Sequence, residues 1–143
     1  MHSIYRASVV EIRLPSMSLA DFFRSPHSAP KPGELSIGDA LLKLADGGTL
    51  IDVRSREDYE AGHMPGARLA SLQDLQDDPI SAIWGDDPLA ETDKPVIVVS
   101  MTPAHAAAVA HLLRDKGFDA ASIAGGFVAW RAAGQPLIPG PPR

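Results

Sequence analysis

The run "VIVVSMTPAHAAAVAHLL", Val96 to Leu113, places a hydroxyl, Ser100, where an apolar stretch gives way to a short loop and then to an alanine-rich segment. In folds built of strands followed by helices, that first loop residue is a common seat for a nucleophile, because ligands gather beyond the carboxyl ends of the strands. His105 follows in the same loop, and a second strand-like run, "TLIDVR", carries Asp52 and Arg54 at its end. Serine, histidine and aspartate are the parts of a hydrolytic triad, which needs the base within hydrogen-bond reach of the nucleophile and an acid behind the base. A loop that turns directly into a helix points its first and sixth residues around a ligand instead, so Ser100 reads as a loop residue or a cap. Asp52 and Arg54, charges beside a core strand, read as a buried pair that fixes neighbouring loops. His63, in "GHMPG", reads as a turn histidine bonded to backbone. No second histidine has metal-ligand spacing with it, and His111 lies off the i, i+4 spacing from His105, so neither a metal nor a cofactor is assigned.

The elements that must hold these residues follow from periodicity and punctuation. "KPVIVVS" contains four consecutive β-branched residues, apolar on both faces, as a central parallel strand requires. "PAHAAAVAHLLRDKG" reads as the longest helix, with Pro103 in its first turn and Gly117 past its end. Upstream, "SIGDALLKLADGG" spaces Ile37, Leu41 and Leu44 along one helical face, with Ser36 as N-cap and Gly47-Gly48 as the stop. "TLIDV" predicts a strand, "SREDYEAG" a brief helix capped by Ser55, and Pro65-Gly66 a turn into a strand near Ala67 to Ala70. The acids and prolines of "QDLQDDPISAIWGDDPLAETD" mark a solvated surface of helical or irregular structure. "FDAASIAGG" supplies one more strand, "FVAWRAAG" a final helix, and Trp84 and Trp130 read as core or rim packing. Strand and helix alternate, which predicts a parallel sheet with helices on both faces.

Residues 1–34 differ. "IYRASVVEIRL" has Val10, Ile12 and Leu14 at strand spacing, and "SPHSAPKPGE" carries three prolines and a glycine, the composition of an extended linker. Met17 could serve as an alternative start. The reading is of an extension over 1–34, a domain over 35–138 and a short Pro-rich tail over 139–143.

At 143 residues the chain is one domain long. A net charge of -5 leaves no basic excess to neutralise phosphates, which argues against sequence-independent nucleic-acid binding and against anionic membrane surfaces. The segment "MHSIYRASVVEIRLP" has no long apolar core, so it matches neither a secretory signal nor a membrane span, and a cytoplasmic protein is expected. There is no cysteine, which removes disulfides, thiolate metal sites and thiol catalysis together.

Three separated motifs resemble the rhodanese-like domain family. "LIDVRSREDYEAGHMPGA" is similar to the family's strand carrying Asp-Val-Arg, its short acidic helix and its Gly-His-hydrophobic-Pro-Gly-Ala turn. "IAGGFVAW" followed by "AGQPL" resembles the closing signature, and the spacing to "KGF" also fits. The resemblance spans Leu35 to about Leu137. It implies a compact α/β domain with a parallel sheet of about five strands. In the family, the strand matching "VIVVS" ends in a loop whose first residue is a cysteine, ringed by backbone amides. Thiosulfate or another sulfane donor passes sulfur to that cysteine, giving a persulfide that an acceptor removes. Helix N-terminal amides favour such an anion and lower a thiol's pKa.

Counting back from "KGF" aligns the family cysteine with Ser100 and makes the loop Ser100, Met101, Thr102, Pro103, Ala104 and His105. Sulfur-transferring members often carry glycine near Pro103 and arginine near His105, so the chain departs at three positions. A serine hydroxyl is undissociated near neutral pH, and a helix dipole worth about 0.3 to 1 kcal/mol does not change that. Proline removes an amide donor, and histidine lacks arginine's permanent charge and bidentate fork. An engineered Cys-to-Ser exchange would explain Ser100 alone, not Pro103 and His105. Phosphatase chemistry on related folds uses a loop cysteine and arginine, both missing here.

The sequence therefore predicts a rhodanese-like domain that is non-catalytic as a sulfurtransferase and acts as a binding or regulatory module. Its loop would take a small anion, a peptide group or nothing, with an unidentified protein as a possible partner. The competing expectation is a sulfurtransferase that works with a partner's cysteine.

Overall fold

The computed structural model describes residues 29–142. Among the described residues, five strands and six helices follow one another: β1 (Glu34–Leu35), α1 (Ile37–Ala45), β2 (Thr49–Asp52), α2 (Arg56–Ala61), β3 (Arg68–Leu69), α3 (Leu72–Asp77), α4 (Pro79–Trp84), β4 (Val96–Val99), α5 (Pro103–Asp115), β5 (Ala120–Ile123) and α6 (Gly126–Ala132). All strand pairs are parallel, in the order β1-β5-β4-β2-β3.

β4 is the central strand, and all four of its side chains are buried. Ile97 and Val99 face one core with Leu50, Ile123 and helices α1, α2 and α6, which contribute Ile37, Ala40, Tyr59, Phe127 and Trp130. Val96 and Val98 face the other with Ile51 and helices α3, α4 and α5, through Leu75, Ile83, Ala106, Val109, Ala110 and Leu113. The alternation along each strand sorts the helices three to a side. The alanines at 106 and 110 let α5 lie close on the sheet.

Five helices begin on a side-chain cap. Ser36, Ser55, Ser71, Asp78 and Thr102 accept from the backbone N–H three residues on, each cap worth about 1 kcal/mol. α6 has none. It starts instead at Gly125 and Gly126, at φ of +76° and +62°.

The predicted elements are present, with one addition. The sequence places Glu34 in the linker, whereas Glu34 and Leu35 pair with Ser122 and Ile123 as the fifth strand. Two residues show no periodicity, and only the partner strand defines them. The possible strand over Val10, Ile12 and Leu14 and the alternative start at Met17 lie outside the described residues. Near the carboxyl end, Ile138 forms an antiparallel bridge with His63, and the Gly140 N–H donates to the Glu60 carbonyl at 3.0 Å. Trp130 is buried and its indole donates to the Pro136 carbonyl, while Trp84 meets Phe118 at 5.8 Å. Among the described residues, no helix is long and apolar enough to cross a membrane.

Candidate functional site

Parallel strands put their carboxyl ends on one side of the sheet, and in β2 and β4 those ends are adjacent, with Asp52 in register with Val99. The Val53 N–H closes the ladder on the Val99 carbonyl at 3.0 Å. Beyond this last rung, β4 gives way to Ser100.

Ser100 is 4% exposed and lies at the base of the loop, while Met101 to His105 are exposed. Thr102 caps α5 by accepting the His105 N–H on Oγ1 at 3.3 Å, and Pro103 occupies the first helical turn. Pro103 contributes no donor, and the His105 amide is already used. Among the described residues, no acceptor is paired with the N–H groups of Ser100, Met101, Thr102 and Ala104. These four amides lie within five residues, at the positive end of a 13-residue helix.

The loop is held from α6. The Phe127 N–H donates to the Ser100 carbonyl at 3.1 Å. A Cβ on Gly126 would stand 2.9 Å from that same oxygen, and φ of +62° also favours glycine there. The double glycine of "IAGGFVAW" thus brings the helix against the loop's first carbonyl.

Asp52 and Arg54 form a buried ion pair. The Arg54 N–H donates to Oδ1 at 3.0 Å, Nε to Oδ1 and Oδ2 at 3.0 and 3.1 Å, and Nη2 to Oδ2 at 2.8 Å. Nη2 also donates to the Gly62 carbonyl at 2.7 Å. The guanidinium lies 3.8 Å over the Phe127 ring, a desolvated cation–π contact worth about 2 kcal/mol. With Asp52 saturated by Arg54 and His105 exposed, no described hydrogen bond joins Ser100, His105 and Asp52 into a triad.

His63 is buried beside this pair. Its ring stacks on Tyr59 at 3.8 Å, and Nδ1 donates to the Tyr59 carbonyl at 2.9 Å, which fixes the proton on Nδ1 because a carbonyl only accepts. The Tyr59 hydroxyl donates to the Ala67 carbonyl at 2.6 Å. His111 stands apart, facing Asp115 at 3.4 Å on the exposed side of α5. No group of three or more His, Asp or Glu residues suited to a metal ion occurs among the described residues.

The structure thus brings the first loop residue, Ser100, to the sheet edge where Asp52 and Arg54 lie, while His63 packs on Tyr59 and bridges Ile138, linked to the pair only through the Arg54 bond to the Gly62 carbonyl. Sequence reasoning missed Gly126 and Phe127 as parts of the site. The available signal was a glycine pair with no capping side chain immediately before an aromatic residue.

A five-stranded parallel sheet in this order, with a strand, a loop and a helix start meeting at its carboxyl edge, defines an α/β domain. The chain belongs to the rhodanese-like domain family, whose profile matches residues 37–133. It is 30% identical over 129 residues to the HTH-type transcriptional regulator Rv0324 of Mycobacterium tuberculosis, covering 89% of this chain and 52% of that one. The chain therefore spans about half the length of that regulator. It is 32% identical over 101 residues to the thiosulfate sulfurtransferase GlpE of Pseudoalteromonas translucida, covering 69% of this chain and 89% of the relative. Among solved structures, the Alr3790 protein of Anabaena superposes with a TM-score of 0.61 at 27% identity, over 73% of this chain and 80% of that one.

Proposed function

We propose that this chain is a rhodanese-like domain that forms no persulfide of its own and serves in the cytoplasm as a binding or regulatory module, with the Ser100–His105 loop as its anion-recognising element. The observation that carries this reading is the absence of any cysteine, with a serine on the first residue after β4. Sulfur transfer needs a thiolate that attacks the donor sulfur and holds it as a persulfide, and a hydroxyl does neither near neutral pH. Pro103 and the Thr102–His105 cap support the loss of sulfur transfer, since both remove donors from the loop and leave anion recognition to the amides that remain.

The test is to treat the purified chain and a Ser100→Cys variant with thiosulfate and weigh both by intact mass spectrometry. The parent is expected to gain nothing. A variant that gains one sulfur atom locates the loss at the nucleophile alone, and a variant that gains none assigns it to the reshaped loop as well. A persulfide on the parent would overturn the reading.

The similarity to a thiosulfate sulfurtransferase, together with the four unpaired amides, supports a second reading in which a partner's cysteine is placed beside the loop. A partner bearing a reactive thiol should then co-purify with the chain, and sulfur should transfer only in the mixture.

A further inference from the structure

We infer that Arg54 is a positioning residue for the Ser100–His105 loop, acting across the sheet edge through the Phe127 ring and the Phe127 N–H on the Ser100 carbonyl. An ion pair that served only to close β2 would need no contact with α6. Here the carboxylate of Asp52 receives Nε and Nη2 of Arg54, which fixes the guanidinium plane, and the plane lies 3.8 Å over the Phe127 ring. That orientation is over-determined, because Nη2 is also held by the Gly62 carbonyl at 2.7 Å. Phe127 is the second residue of α6, so a ring fixed by the cation fixes the start of the helix. The helix start in turn holds the loop twice: the Phe127 N–H bonds the Ser100 carbonyl at 3.1 Å, and Gly126 leaves no room for a Cβ against that oxygen.

The path from Asp52 to Ser100 therefore runs through contacts between buried groups, with Asp52, Arg54, Phe127 and Ser100 each at most 9% exposed. Water does not compete for them, so a change at one end is not absorbed by solvent. The lysine alternative at position 54 would supply charge without the planar fork, and so without a fixed face for the ring. The Gly62 carbonyl extends the same hub to the carboxyl-terminal strap, since His63 exchanges both backbone bonds with Ile138 at 2.9 Å. This role stands whether or not the loop takes a ligand, and its failure would leave the proposed function untouched.

The experiment uses the full chain. Hydrogen exchange of the backbone amide at position 127 reads the bond to the Ser100 carbonyl directly, and alkylation of a Ser100→Cys thiol reads the loop. Arg54→Lys and Phe127→Leu are compared with Ile37→Ala, which opens the same core from α1 and leaves the side chains of Arg54 and Phe127 in place. Both test variants are expected to raise exchange at position 127 at least tenfold beyond the control, after correction for global stability. They are also expected to change the pH midpoint of Ser100→Cys alkylation, which the control leaves in place. Should Arg54→Lys fail to fold, Phe127→Leu decides alone, since it keeps the ion pair. Exchange and alkylation that follow global stability equally in all three variants would overturn the inference.

Discussion

At position 100 the difference between oxygen and sulfur decides the chemistry. The loop around that residue keeps four amides with no paired acceptor among the described residues, so the proposed anion recognition does not depend on the missing thiol. Restoring the nucleophile together with the lost donors, as Ser100→Cys with Pro103→Gly and His105→Arg, is expected to raise thiosulfate-dependent persulfide formation at least tenfold over Ser100→Cys alone, measured as the rate of mass gain. Equal rates would mean that the proline and histidine do not limit the cradle. The buried pair makes a second prediction at this scale. Asp52→Asn leaves the Arg54 cation without its carboxylate and is expected to cost about 3 to 5 kcal/mol of stability, read as a lower urea midpoint. The sequence made these residues legible by type and position: Asp52 and Arg54 as a structural pair, Ser100 as the departure. It did not show that the pair faces Phe127, because residues 54 and 127 meet only once β2, β4 and α6 are assembled.

Among the elements, those that carried their own punctuation were readable and those that borrowed it were not. The caps Ser36 and Ser55 mark helices whose first turns close on their own side chains, so a short window of sequence contains the whole signal, whereas α5 is capped by Thr102 and not by Ser100, which the sequence offers as a loop residue or cap. β1 has two residues and exists through its pairing with β5, which no local pattern reports. α6 lies between these cases: its glycines advertise a turn, yet the reason for the second is the Ser100 carbonyl 2.9 Å from the missing Cβ. Gly126→Ala is therefore expected to destabilise the chain by about 1 to 3 kcal/mol from the left-handed backbone, with a further loss from the clash. Gly134→Ala, at φ of +71° with nothing within 4 Å of the added carbon, isolates the backbone component alone. Thermal denaturation should place Gly126→Ala below Gly134→Ala, and equal melting temperatures would show that the loop yields to α6.

Across the whole molecule, a parallel sheet buried on both faces sets a site where the carboxyl ends of β2 and β4 adjoin, and the family's chemistry was built on one thiol at that edge. Composition alone decides whether the thiol is there, which is why the zero cysteine count is the most informative global property of the chain. What composition could not supply is the cradle's present shape, because the donors lost to Pro103 and to the Thr102 cap depend on where α5 begins. The most direct test of the central claim is thiocyanate formation by the purified chain supplied with thiosulfate and cyanide. The expected result is a rate equal to the protein-free blank at every protein concentration. Thiocyanate that rises in proportion to this cysteine-free chain would contradict it.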